Sequence, residues 1–469
     1  MTTAATTRLD WGALWRSGEL ARFCFISLGL VFHAGCENMI TTILPLMIKD
    51  LGGVEYSGWS FAIYEIGAIV AGAAAGRLST MFTIRANMIA AALVFSVGCL
   101  GTVFAPNMPW LLLGRLIAGF GGGTLVSLCF VATQRYFHVD IWPQLMAVLS
   151  VVWGVSAFGG PLFGALFGTF LGWRWAFVAF GLAALLYAAA TRHVLRNERP
   201  APPGEQAAGA FPAFALLCLS CGVTAIAWAG VETIAPRSAA LLATGLAGVG
   251  LFFVLDARSA NSRLFPRQTF QPRTTVGSGM LMIAALAVST CSFGFYGPLL
   301  LAALHNFPPL TTGLIIASES ISWSVLSILV ANTSKRFEQL IVPAGALMVT
   351  AGVAGFAVTV PAGSIPGIMV CALLQGGGFG ILWPFANRMV VQAAAENERS
   401  IAASAFSTLQ RMGYAIGAAV AGIIANASGF SQGFTPEAAR GAAAILFWAF
   451  LPLAMVGFLA SLRLARHAP

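Results

Sequence analysis

Short polar breaks divide the chain into fourteen long apolar segments. Each segment has the roughly 17–25 apolar residues that an α-helix needs to cross about 30 Å of hydrocarbon. No alternating ten-residue pattern of the kind found in membrane β-barrels competes with them. The pattern therefore predicts fourteen transmembrane helices, at residues 21–47, 57–78, 87–105, 109–134, 145–170, 175–191, 212–230, 239–255, 275–302, 309–332, 340–360, 364–387, 400–426 and 441–462.

The positions of the basic residues test this count independently, because Lys and Arg concentrate in cytoplasmic loops. Of the 25 Lys and Arg residues, 19 fall in alternate loops on one side of the predicted membrane. Two lie within spans, and the other side holds only Lys49, Arg174, Arg237 and Arg440. If one span were missed or added, the basic residues beyond it would fall on the opposite side of the membrane and the bias would be lost. We therefore expect an even number of helices with both termini in the cytoplasm.

Two longer loops organise the helices. A Pro-rich and charged stretch, 192–209, follows the sixth helix, and a basic loop, 256–273, follows the eighth. Short basic loops after the second and tenth helices echo each other, as in six-helix repeats. The predicted fold is an all-α polytopic membrane protein with two six-helix bundles and an inserted two-helix hairpin. The predicted units are 1–200, 201–257 and 258–469.

Composition agrees with a chain solvated by lipid. Hydrophobic residues make up 58% of the sequence, charged residues only 9%, and mean hydropathy is +0.85. The first twenty residues lack the pattern of a removable signal peptide. The eight Cys all lie in apolar stretches, so we interpret them as small hydrophobic residues, including the pair Cys218 and Cys221. Because the net charge of +9 follows the loops, it reflects topology and predicts no nucleic-acid partner.

Several segments resemble motifs of the major facilitator superfamily, and in particular its fourteen-helix drug:proton antiporter family. The resemblance covers nearly the whole chain. It departs at the loop after the second helix, where Gly76, Arg77 and Arg85 match but Thr80 and Met81 replace the usual Asp and Arg. The matching segments are GRLIAGFGGG (114–123), GVSAFGGPLFG (154–164), GWRWAF (172–177), LDARSANSRLFPRQTF (255–270) and STLQRMGYAIGAAVAG (407–422).

The resemblance implies a monomeric, proton-coupled antiporter of a bacterial inner membrane. It would export an amphipathic small molecule, with cations among the candidates, by alternating access, with the proton gradient as energy source and no cofactor or metal. The alternative within the same fold is an exporter of metabolites or siderophores. A receptor or scaffold has no reason to keep charges inside the membrane. An enzyme is not expected, because no Ser-His-Asp set, metal cluster or phosphate loop appears in a credible context.

Five charged residues fall inside predicted spans: Glu37, Glu65, Arg115, Glu319 and Arg411. A charge in hydrocarbon costs at least about 2.5–3.5 kcal/mol, so each is a functional candidate. At about 1.5 Å per residue, Glu37 and Glu319 lie about 15 Å from the outer ends of their helices, Glu65 about 12 Å and Arg115 about 9 Å. Arg411 lies about 16 Å from the inner end of its helix. All five are therefore placed near mid-membrane or in the outer half.

Three acids against two bases leave at least one acid without a dedicated partner, and that acid is a candidate proton carrier. Glu37 is our first choice, with His33, one turn earlier, as a possible relay. Glu65 and Glu319 are candidates for proton or substrate binding, and Arg115 completes the predicted coupling set. The alternative is that Arg115 pairs permanently with Glu37 or Glu65 and only locks the bundle. Arg411 is expected to bond helix backbone.

Aromatic residues at predicted cavity positions could hold a flat or cationic ligand. The candidates are Tyr64, Trp153, Tyr296 and Trp323, and lipid-facing positions are an equally good interpretation of the group.

A separate prediction concerns the antiporter motif, Gly154, Gly160, Pro161 and Gly164. Spaced small residues with one Pro predict a close, bent helix contact between the two halves. The resemblance to antiporters implies that this contact seals the membrane against leak. Ordinary small-residue packing is the alternative.

Overall fold

The computed structural model describes residues 18–137, 142–196, 212–232, 235–259, 263–330, 333, 337–430 and 433–466. Within these ranges the chain is helical and contains no strand, which confirms the predicted all-α class. Two short 3₁₀ turns lie at Val54–Tyr56 and Glu396–Glu398. The fourteen helices are α1 (Glu19–Leu51), α2 (Trp59–Met81), α3 (Ile84–Val103), α4 (Met108–Tyr136), α5 (Trp142–Phe170), α6 (Trp173–Val194), α7 (Ala213–Ala229), α8 (Ala235–Arg258), α9 (Thr275–His305), α10 (Pro309–Val330), α11 (Glu338–Ala362), α12 (Ile365–Ala393), α13 (Arg399–Ala427) and α14 (Pro436–Arg466).

These helices match the fourteen predicted spans one for one. By length and composition alone, eleven of the described helices can cross a membrane. Local sequence signals set the ends of the helices. Gly52 and Gly53, which end α1, adopt positive φ angles of 69° and 75°, a backbone conformation that residues other than Gly rarely adopt. Thr83 and Asn107 cap α3 and α4 by accepting backbone N–H groups. The short polar breaks in the sequence thus coincide with the ends of the helices.

The two halves repeat the same helix contacts. In the first half, the backbone of α2 at Tyr64 passes so close to Gly119 of α4 that no side chain would fit there. In the second half, the backbone of α10 at Glu319 passes Gly376 of α12 in the same way. These matched approaches are what a pair of six-helix repeats predicts.

A second pair of contacts follows the same repeat. Gly160 of α5 lies against Gly35 of α1, and Gly413 of α13 lies against Ala284 of α9. Helices α5 and α13 therefore hold equivalent places, each packed on the first helix of its own half.

The hairpin α7–α8 packs through α7 against α2 and α13, which belong to different halves. Trp228 of α7 contacts Trp59 edge to face, with ring centroids 5.7 Å apart, and Asn426 of α13 donates to Gly230 O at 2.9 Å. The hairpin thus covers a seam between the halves. The predicted unit boundary near residue 200 lies outside the described residues, and the one at 257–258 falls at the end of α8. These boundaries stay predictions.

Candidate functional site

Four polar side chains from three helices meet inside the helix bundle. Nη1 of Arg411 (α13) lies 3.0 Å from Nε2 of His33 (α1). The same nitrogen lies 3.4 Å from Oε2 of Glu65 (α2) and 3.9 Å from Oε2 of Glu37 (α1). His33 and Glu37 are one turn apart on α1, with Nε2 and Oε2 3.2 Å apart. We call these four residues the central cluster.

The central cluster is partly exposed. His33 is fully buried and Glu65 is 2% exposed, whereas the side chains of Glu37 and Arg411 are 21% and 22% exposed. Since α13 belongs to the second half and α1 and α2 to the first, both halves contribute to the cluster. It can therefore respond to water, protons or ligands and to movement between the halves.

Nε2 of His33 cannot form a hydrogen bond with Arg411 and with Glu37 in the same protonation state. An Arg side chain only donates hydrogen bonds, so an unprotonated Nε2 accepts from Arg411 and has no proton to give Glu37. A protonated Nε2 donates to Glu37 and repels Arg411. Nδ1 is separately engaged with the hydroxyl of Tyr64 at 3.1 Å. One proton at Nε2 thus decides which neighbour His33 binds.

Arg115 holds a different place from the one predicted. Its side chain is fully buried, with Nε donating to Ser60 O at 3.2 Å and Nη1 to Cys36 O at 3.3 Å, and its guanidinium lies 4.1 Å from the Tyr64 ring centroid. The alternative interpretation, a permanent pair between Arg115 and Glu37 or Glu65, is therefore wrong. The prediction that Arg411 bonds helix backbone is also wrong, because Arg411 meets side chains and Arg115 meets backbone.

Glu319 lies apart from the central cluster, on α10. Its Oε1 accepts a hydrogen bond of 2.7 Å from Nε2 of Gln375 (α12), which is fully buried. Sequence reasoning missed Gln375. The repeat offered a signal: Gly98 of α3 packs on Ala118, and Gly352 of α11 packs on Gln375. Gln375 thus holds in the second half the place of Ala118, where the resembled motif carries a Gln.

Two of the four predicted aromatic residues adjoin the central cluster. The ring of Trp153 (α5) lies 4.8 Å from the Arg411 guanidinium, and Tyr64 contacts His33. Trp323 stacks on Phe379 with centroids 5.1 Å apart, and Tyr296 lies near the start of α2, beside Gly58. Tyr64 and Tyr296 are fully buried, so in this conformation they do not line an open cavity as predicted.

The antiporter motif faces mainly its own half. Gly160 and Gly164 pack on α1, and Pro161 O accepts a hydrogen bond of 3.0 Å from the Thr42 hydroxyl of α1. The predicted contact between the halves is therefore not made by Gly160 and Gly164, which pack on α1. Gly154 and Pro161 do meet α10 of the second half: a side chain at position 154 would contact Ser324, and a Cβ atom at Gly313 would lie 3.2 Å from Pro161 O.

The cytoplasmic loop motif is described only in part. Gly76 and Arg77 lie in the last turns of α2, and their side chains fall outside the described residues. Arg85 lies in the first turn of α3 and is half-buried. The role predicted for this motif stays a prediction.

The ligand atoms of His33, Glu37 and Glu65 lie within 4.8 Å of one another, a spacing that a metal ion can accept. The fixed positive charge of Arg411, 3.0–3.9 Å away from the same atoms, opposes a divalent cation. Among the described residues, the cluster is better suited to a proton or an organic cation.

Two helix bundles that share a charged cluster deep in an apolar chain define a multi-span membrane transporter. The chain belongs to the Major Facilitator Superfamily, whose family model matches residues 26–364 and 280–469. The resemblance noted in the sequence is thereby confirmed.

Relatives and solved structures agree with this assignment. A Mycobacterium tuberculosis protein named "Probable multidrug-efflux transporter" is 29% identical over 98% of both chains. The multidrug efflux pump SdrM of Staphylococcus aureus is 23% identical over 84% of this chain and 87% of its own. An inward-facing bacterial homologue of the lysosomal transporter Spinster superposes with a TM-score of 0.69 at 13% identity, over 96% of this chain and 98% of that one. A D-xylose-proton symporter gives 0.66 at 15% identity, with the same coverage. At these identities the solved structures show the fold alone.

Proposed function

We propose that this transporter is a proton-coupled antiporter that exports an amphipathic, cationic small molecule by alternating access. It would work in a bacterial inner membrane, with both termini in the cytoplasm and the proton gradient as its energy source. The observation that carries the proposal is the central cluster, in which both halves contribute charges around a partly exposed carboxylate. The multidrug-efflux relatives support an amphipathic substrate.

The proposed coupling uses competition for the same carboxylates. Glu37 can be neutralised by a proton or by a cationic ligand, but a proton on it removes the charge that attracts the cation. His33 is suited to pass the proton, because its Nε2 contacts Glu37 in one protonation state and Arg411 in the other. Loss of the His33–Arg411 contact would also weaken a link between the halves. Protonation and movement would thus be coupled.

The decisive experiment measures substrate-driven proton flux in everted vesicles with a pH-sensitive dye. Glu37→Gln keeps the shape but cannot titrate, so we expect flux to disappear. Binding should survive and lose its pH dependence, with an affinity like that of the wild type at low pH. Glu437→Gln removes an exposed carboxylate at the start of α14 and is the matched control.

Two further variants locate the proton site. We expect Glu65→Gln and Glu319→Gln to change substrate range more than coupling, because these acids are proposed to meet the ligand's charge. If Glu37→Gln retains transport driven by a pH gradient while either other variant abolishes it, the coupling role belongs to α2 or α10.

A metabolite or siderophore exporter is the second candidate. The buried hydrogen bond between Glu319 and Gln375 favours it, because an amide and a carboxyl suit a ligand rich in polar groups. Screening the same vesicles with lipophilic cations, siderophores and amino acids separates the two. Proton release by polar metabolites alone would favour the second candidate.

A further inference from the structure

The guanidinium of Arg411 occupies a place built for an organic cation. Two carboxylates and the imidazole nitrogen of His33 lie within 3.9 Å of its Nη1, and the face of Trp153 lies 4.8 Å from its carbon centre. Carboxylates beside an aromatic ring are the usual environment for a bound cation. The protein therefore fills this site with one of its own side chains.

Arg411 satisfies this site poorly. All three of its polar contacts use the single nitrogen Nη1, although a guanidinium carries five N–H donors and pairs best with carboxylates through two of them. Among the described residues, the buried Oε1 of Glu65 has no hydrogen-bond donor, and Oε2 of Glu37 has one only when Nε2 of His33 carries a proton. Glu65 is itself only 2% exposed. Unused acceptors in a buried position point to a ligand that can supply donors.

The side chain of Arg411 is also placed so that it can move out of the central cluster. Its side chain is 22% exposed and is carried by the opposite half from Glu37 and Glu65. Arg115 makes the contrast clear, because it is fully buried and its Nε and Nη1 donate to two backbone carbonyls. Of the two intramembrane arginines, only Arg411 is placed to exchange with a ligand.

We propose that Arg411 is an internal competitor of the substrate and selects its chemistry. A planar cation with N–H donors, of the guanidinium or amidinium class, displaces Arg411 from Glu37 and Glu65 and stacks on Trp153. Such a cation fills the unused carboxylate oxygens, whereas a quaternary ammonium ion has no N–H to give them. This inference rests on the proposed export of a cation and narrows the class of that cation.

The test is equilibrium binding to the purified full chain, without a pH gradient, using benzamidinium and the shape-matched benzyltrimethylammonium as probes. Arg411→Gln removes the competitor, so benzamidinium affinity should rise about tenfold, the size of one charge-assisted hydrogen bond. Benzyltrimethylammonium should gain by a similar factor, because both probes displace the same side chain, but it should bind more weakly than benzamidinium to both proteins because it has no N–H to donate. Arg440→Gln, which removes an exposed arginine of α14, should change neither affinity.

Unchanged or weaker benzamidinium binding by a folded Arg411→Gln protein would overturn the proposal and make Arg411 a structural tether. Equal affinities of the two probes for both proteins would overturn the selectivity for N–H donors. Should Arg411→Gln not fold, Arg411→Lys takes its place. Its ammonium lacks the planar face that Arg411 presents to Trp153, so a smaller gain is expected, and no gain refutes the proposal. Since no gradient is present, failure of proton coupling in vesicles leaves this result unaffected.

Discussion

Replacing Gly160 tests whether the antiporter motif positions the proposed coupling acid. A Cβ atom at position 160 would lie 2.6 Å from Gly35 O and 3.2 Å from the backbone nitrogen of Met39, both on α1. Gly35 and Met39 flank Glu37 in sequence, two residues away on each side. A side chain at this point therefore pushes on the backbone that carries Glu37.

The size of the effect follows from the distance. Ordinary carbon–oxygen contact begins near 3.4 Å, so Gly160→Ala requires α1 and α5 to separate by about 0.8 Å. Overpacking of this kind lowers the free energy of unfolding by about 1–3 kcal/mol. Because a displacement of about 1 Å in a functional group can reduce a rate up to about a hundredfold, we expect transport to fall by at least about tenfold.

The neighbouring glycine provides a matched control. A Cβ atom at Gly159 meets nothing within 4 Å, so Gly159→Ala adds the same methyl group on the same turn without a clash. The assay compares vesicle proton flux and thermal unfolding of the two variants, with equal amounts of each protein in the membrane. Gly160→Leu should still insert into the membrane but should not transport. Equal flux from Gly160→Ala and Gly159→Ala, or full transport by Gly160→Leu, would show that the contact is incidental.

Two further predictions concern stability. Arg115→Met removes the side-chain donors to Ser60 O and Cys36 O, which keep their own helix hydrogen bonds. The free energy of unfolding should therefore fall by about 1–3 kcal/mol, read from denaturation of the purified protein against Arg440→Gln, and an unchanged value would show that Arg115 does not hold α1 to α2. Asn426→Ala removes the donor to both Glu55 O and Gly230 O, each at 2.9 Å, so hydrogen exchange should speed up at the carboxyl-terminal end of α7. Unchanged exchange there would count against a hairpin held at the seam.

Most of the fold was predictable from one-dimensional patterns. The second span was predicted at 57–78 and α2 runs from Trp59 to Met81, and the ninth was predicted at 275–302 and α9 runs from Thr275 to His305. The agreement has a physical cause, since hydrocarbon thickness sets helix length and backbone groups in lipid must bond within their own helix. The intramembrane charges were visible for the same reason, because hydrocarbon leaves few of them.

Which charges meet was decided only by the tertiary structure. Depth along a helix shows which residues share a level of the membrane, but the rotation of each helix determines which faces meet, and rotation depends on packing between helices. Arg411 therefore contacts acidic side chains where helix backbone was expected, and it is Arg115 that bonds backbone. Gly160 and Gly164 likewise pack on α1. A stripe of small residues predicts a close contact between helices, but it does not show which helix is the partner. The pairing of Arg411 with Glu37 and Glu65 joins residues more than 340 positions apart, and only the packing of α13 against the first half brings them together.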